Sequence, residues 1–185
     1  AVNTKATANE VKIVTSYDGA VNAFGQGTMA ELIRLALKNG AGSVAAVPIA
    51  SGEGYGDGFA ALEGLEDVTA VICDSTDGDV QKAMKESVET ASANRRERIA
   101  VAAGGAEETV DELIARAKAL NHERVVLVAP GGVDKSGENT DGLGVAAAVD
   151  VAIAGESEPA LPLGGAVLNC LYGLSGRYND GGMDR

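Results

Sequence analysis

Between Arg95 and Pro130 two short apolar runs flank one amphipathic segment, and a chain of that pattern has few ways to fold. Ile99 to Ala103 and Val125 to Ala129 are continuous apolar runs rich in valine and alanine, and a run without polar alternation suits a strand buried on both faces. Between them Thr109 stands three residues before Glu112, the spacing of a capping box, so a helix starts there. Val110, Leu113, Ile114, Ala117 and Leu120 then fall at helical spacing and predict one dry stripe, with Asp111, Glu112, Arg116 and Lys118 on the other faces. A strand, a crossover helix and a second strand of this length close as a right-handed parallel unit with the helix covering the sheet.

The same alternation runs through the rest of the chain. Residues 1–10 are small and polar without a period, and read as a frayed or paired edge. Val11 to Thr15 reads as a strand. Ser16 to Phe24 reads as a turn entering a short helix that Ser16 or Asp18 caps and Gly25 ends. Thr28 with Glu31 repeats the capping box ahead of Met29, Leu32, Ile33, Ala36 and Leu37, and Asn39 with Gly40 stops that helix. Strands at Ser43 to Ile49 and Val68 to Cys73, a helix at Asp77 to Ala93 and a last helix near Leu143 to Ala154 complete the series. Asp150 is the one charge in that last segment, and the cost of burying a lone carboxylate predicts that it faces solvent or marks the helix end. The fold class is α/β, with a mostly parallel sheet and helices on both faces, in a single domain over residues 1–185.

Charge narrows the partners. Asp and Glu total 27 against 15 Lys and Arg, a net charge of −12 that repels phosphate backbones and anionic lipid heads, so nucleic acid is excluded as a partner. The apolar runs fall well short of the roughly 20 residues a membrane helix needs, and no membrane insertion is expected. Cys73 and Cys170 each lie inside an apolar run, where a thiol acts as a small hydrophobe.

Three loops imitate ligand motifs. Gly25, Gly27 and Ala30 satisfy the G-x-G-x-x-A form of a dinucleotide fingerprint, but the stretch ahead of them lacks a buried strand and no carboxylate is placed for a ribose. Ser51 to Gly58 has glycines at alternate positions with Glu53 and Asp57 among them and no Lys or Arg, which suits a flexible surface loop better than an anion cradle. Pro130 to Gly142 carries Gly, Lys and Ser in the order of a P-loop, yet Asp134 stands where a glycine must precede Lys135, so this loop is expected to face solvent or a neighbouring subunit. The single histidine, His122, lies in a charged turn, Ser175 sits in GLSGR rather than in a nucleophile elbow, and Asp74, Asp77 and Asp79 suit helix capping. No catalytic, cofactor-binding or metal residue is assigned, and no cofactor is expected.

One further reading rests on resemblance. RRERIAV, then a Gly-rich turn, then ETVDELIARAKALN, then RVVLVAPG resemble the core of contractile tail sheath proteins of phage, prophage or tailocin type. Gly27 to Ile49 and Pro159 to Gly181 are similar to flanking sheath segments, so the resemblance covers nearly the whole chain. It implies a subtilisin-like core by fold without protease activity. It implies a structural, non-enzymatic subunit that polymerises around an inner tube and contracts to drive the tube through a target envelope. Its partners would be other sheath subunits, the inner tail tube protein and the baseplate, and its location the virion tail or tailocin particle, assembled in the host cytoplasm. Against that family the chain is expected to be a trimmed core without the N-terminal arm and C-terminal domain, and therefore monomeric in dilute solution. The alternative is a nucleotide- or dinucleotide-binding α/β enzyme using the Gly25, Gly27 and Ala30 turn.

Overall fold

The computed structural model describes residues 1–133, 137, 142–155, 167–169 and 172–176. The central unit forms as the sequence requires. Strand β4 (Ile99–Ala103) pairs in parallel with β5 (Val125–Val128), Ala100 opposite Val125 and Ala103 opposite Val128, and β3 (Ala70–Val71) pairs in parallel with the other side of β4. Helix α5 (Val110–Leu120) joins β4 to β5, and both halves of its capping box are made. Thr109 Oγ1 accepts from the Glu112 amide, and the Glu112 carboxylate accepts from the Thr109 amide at 2.8 Å.

Helices cover both faces of this sheet, and the strand period of two decides which residues meet which helix. Val71, Cys73, Ala100 and Ala102 pack with Tyr55 and Phe59 of α3 (Tyr55–Glu63) and with Met84 and Val88 of α4 (Gly78–Ala93). Val101 and Ala103, one residue out of phase, pack with Ala146, Leu143 and Val149 of α6 (Leu143–Gly155). Alanines on both sides of that second contact let the helix lie close to the sheet.

A separate small unit precedes the sheet. Strands β1 (Lys12–Val14) and β2 (Val44–Ala46) pair antiparallel, and helices α1 (Tyr17–Phe24) and α2 (Thr28–Lys38) bury Phe24, Met29, Ala30 and Ile33 against Val14 and Ala46. Its seam with the rest is α2 against α6, where Gly144 faces Leu35. Residues 1–3 form a paired edge: Asn3 donates to the Ile49 carbonyl and Ile49 to the Ala1 carbonyl, both at 2.9 Å, with Val2 bridged in parallel to Ile49. Late in the chain β6 (Gly132–Val133) pairs antiparallel with β7 (Gly173–Leu174). No helix among the described residues is long and apolar enough to cross a membrane.

Several expectations are corrected. The parallel sheet has three strands among the described residues, because β2 turns back on β1 instead of joining the series. Strand β5 is half-buried along its length rather than dry on both faces, since among the described residues it stands at the edge of the sheet. The Thr28 and Glu31 box does not form: Gly27 is the N-cap, Thr28 is already helical, and the Glu31 carboxylate is held by the Tyr17 hydroxyl at 2.8 Å and by Arg34 at 2.7 Å. Ser51 to Gly58 is not a loop throughout, because Tyr55 to Gly58 is the first turn of α3 and is packed tightly enough that a Cβ on Gly58 would lie 2.8 Å from Ile49 Cγ2. In α5, Ala117 is exposed and Arg116 half-buried, so the stripe is narrower than its spacing implies. Helix α6 runs past Asp150 to Gly155. Asp134, Lys135 and Cys170 lie outside the described residues.

Candidate functional site

In an open parallel sheet the loops after the strands' carboxyl ends are the usual place for a ligand. Here that place is filled by the chain's own polar groups. Gln81, 1% exposed, donates from Nε2 to the Ala103 carbonyl at 2.8 Å and to the Ser75 carbonyl at 3.2 Å, tying the ends of β4 and β3 together. Its Oε1 accepts from Arg116 Nη1 at 2.9 Å, and Arg116 Nε reaches Glu108 Oε1 at 3.0 Å. Glu108 Oε2 in turn accepts from the Gly105 amide at 2.6 Å. Gly142 packs against the same strand ends, where a Cβ would stand 3.1 Å from the Gly104 carbonyl and 3.2 Å from that of Val128. The network is a structural plug. The sequence concealed it, because Arg116 sits on α5 at a position that a helical wheel gives to solvent.

The open site lies elsewhere, between the two sheets. A cavity of about 670 Å³ is lined along one side by β2 and its flanks from Gly40 to Val47, and along the other by β3 and its flanks from Leu65 to Asp74. Among the described residues strand β2 is laddered to β1 alone and β3 to β4 alone, so each brings a second edge to the cleft that no described strand pairs. Met29 and Ile33 of α2, Phe59 and Leu62 of α3 and Val151 of α6 make its walls apolar. At one end residues 1–3 lie between the two sides: Val2 donates to Asp74 Oδ2 at 3.0 Å while Asn3 donates to Ile49, just beyond β2.

The cleft has one sign of charge on its side chains. Glu66, Asp67, Asp74 and Asp150 line it, and no Lys, Arg or His does among the described residues. Asp150 is half-buried in the wall of the cleft rather than turned out to solvent, contrary to expectation. Helix α6 is packed against α2 and the sheet, Asp150 Oδ1 is shut off from water with no hydrogen-bond partner among the described residues, and burial pushes the carboxyl up to about 7. Asp74 does not cap α4 either, a role that Asp77 fills by accepting from the Asp79 and Val80 amides. It accepts instead from the Tyr55 hydroxyl at 2.9 Å, and burial first, then this bond, raises the Tyr55 hydroxyl well above its usual range. Burial pushes the Cys73 thiol up to about 11, so at neutral pH it is a thiol and a poor nucleophile.

The remaining candidates are held in separate places. The GQGTMA turn joins helix α1 to helix α2, whereas a dinucleotide fingerprint joins a strand to a helix. Gly25 takes φ 79° to end α1, beside Lys5 Nζ, which donates to the Val21 and Asn22 carbonyls, and Ala30 is buried in the small core. His122 is half-buried in its turn, with Nε2 3.3 Å from Glu89 and Nδ1 accepting from the Arg124 amide. Ser175 donates to the Gly131 carbonyl. Among the described residues no three His, Cys, Asp or Glu side chains are grouped to hold a metal ion. No protein-family model matches this sequence, and comparison with curated proteins finds no match either.

Proposed function

We propose that this chain is the core of a contractile tail sheath subunit, a structural protein without catalytic activity, and that the cleft between β2 and β3 receives an extended strand from a neighbouring subunit. One observation carries the reading: two strand edges without ladder partners among the described residues line a shared apolar cleft. Such edges bind extended chain through main-chain hydrogen bonds, the physics of β-augmentation, and linkage of that kind can hold a lattice together while its rings rearrange. The ordered resemblance of RRERIAV, ETVDELIARAKALN and RVVLVAPG to the sheath core supports the same reading. Its partners are then other sheath subunits, the inner tube and the baseplate of a phage tail or tailocin. Electron microscopy of concentrated protein expressed from its full natural reading frame tests this. Rings or tubes of regular width are expected; absence of any ordered assembly, together with absence of the protein from tail particles of the source strain, overturns it.

A further inference from the structure

We propose that the segment taken into this cleft runs parallel to β2 and carries one basic side chain, Lys or Arg, that ion-pairs with Asp150. The inference rests on the reading that the cleft receives a strand, and it specifies what that strand must be. Direction follows from the edge already in place: Val2 is paired in parallel with Ile49 at the end of the cleft, so a strand extending that ladder runs alongside β2 in the same sense. Side-chain period follows from the walls. Successive residues of an inserted strand point to opposite faces, one row toward Phe59 and Leu62 of α3, the other toward α6, where Val151 and Asp150 stand.

Charge sets the residue on the α6 row. Among the described residues the cleft offers four carboxylates and no cationic lining side chain, and Asp150 Oδ1 is buried without a partner. A buried carboxylate that meets a guanidinium or ammonium regains the interaction that desolvation removed, whereas an apolar or acidic residue placed there leaves it unpaired. The occupant is therefore an extended segment of apolar residues with a single Lys or Arg, its two neighbours apolar to meet Phe59 and Leu62.

The test uses capped seven-residue peptides of alternating valine and threonine, beginning with valine, in which lysine replaces the threonine at the second, fourth or sixth position so that both its neighbours are valine, and matched peptides with norleucine or glutamate in its place. Binding is followed by fluorescence anisotropy on the wild-type chain, on Asp150→Asn and on Asp150→Glu. The best lysine peptide is expected to bind the wild type at least about tenfold more tightly than its norleucine counterpart, a difference of about 1.4 kcal/mol. Asp150→Asn should bring the two peptides within about twofold, and Asp150→Glu should restore preference for lysine. Equal binding of lysine and norleucine peptides to the wild type, persistence of the preference in Asp150→Asn, or no binding at about 1 mM overturns the proposal. So does full displacement of the peptide by n-butylammonium at comparable concentration, which would make this a small-amine pocket. Should Asp150→Asn fail to fold, carboxyl-carbon NMR on the wild type decides: the lysine peptide must lower the Asp150 titration midpoint, and an unchanged midpoint refutes the pairing. Tubes seen by microscopy without peptide binding defeat this inference alone, while peptide binding without any assembly defeats the sheath reading and leaves the cleft's specificity standing.

Discussion

Replacing Asp150 by asparagine should stabilise the protein at high pH and leave it nearly unchanged at low pH. In the unfolded chain this carboxyl ionises near the usual 3.8, and burial in the fold moves it to about 7. Between those values the folded state holds the proton that the unfolded state has released, so stability falls as pH rises and levels off above 7. The shift of about three pH units corresponds to roughly 4 kcal/mol as an upper bound. The residue as a whole keeps partial exposure, and solvent relaxation at such a site reduces the figure to about 2 kcal/mol. Asparagine carries no charge to desolvate, so at pH 8 Asp150→Asn should exceed the wild type by about 2 kcal/mol, or about 4–8 °C in Tm for a domain of this size. Urea denaturation of both proteins from pH 5 to 8 measures it. The range stops at 5 because Glu31, held by Arg34 and Tyr17, and Glu112, bonded to Thr109, have lowered pKa values, and the stability they contribute is lost on acidification below the usual carboxylate value of 4.5. Parallel pH profiles for the two proteins, or a variant less stable at pH 8, would refute the burial of this carboxyl.

Further outcomes follow from the packing. Arg98→Met removes donations to the Leu62 and Leu65 carbonyls at the end of α3, at 2.9 and 2.6 Å, and should lower the unfolding free energy by about 2–3 kcal/mol in chemical denaturation. Thr109→Ala breaks the capping box and should cost about 1 kcal/mol, with faster amide exchange confined to the first turn of α5. Gly142→Ala sets a methyl against the Gly104 and Val128 carbonyls and should destabilise by about 1–3 kcal/mol, read as a fall in Tm. NAD, NADP, ATP and FAD should leave the melting temperature unchanged, whereas a true ligand at 100 times its Kd would add about 2.7 kcal/mol.

Local signals were legible and tertiary ones were not. The boundaries of β4, the capping box of α5, the Ser16 and Asp77 caps and the Gly25 stop each depend on residues within one helical turn, and each appears where the sequence puts it. Thr28 and Glu31 have the same spacing as Thr109 and Glu112, but Tyr17 and Arg34 compete for the Glu31 carboxylate, and only the fold brings Tyr17 there. Helix α3 was hidden by its glycines, which look like a loop until Ile49 is seen pressing on Gly58. The cost of burying a lone carboxylate sends Asp150 to solvent or to the helix end, and the packing of α6 on two sides and its run to Gly155 defeat both. The cleft could not be read at all, because strand partners are set by contacts remote in sequence, and nothing near Val44 reveals that β2 turns to β1 and leaves its other edge beside β3.

Helix α6 has a consequence for synthesis on the ribosome. It is made after every strand it covers, and Val101 and Ala103 have no cover on that face until Ala146 and Leu143 arrive. At about 5–20 residues per second the interval between β4 and the end of α6 is roughly 3–10 s. Until α6 is complete the nascent chain presents the apolar face of β4 and the α2 side of the seam, while the helix that will cover both carries only Asp150 to keep it soluble. Pausing after β5 would lengthen that exposure, and a synonymous change that slows translation there should lower the soluble yield without altering a single atom of the finished protein.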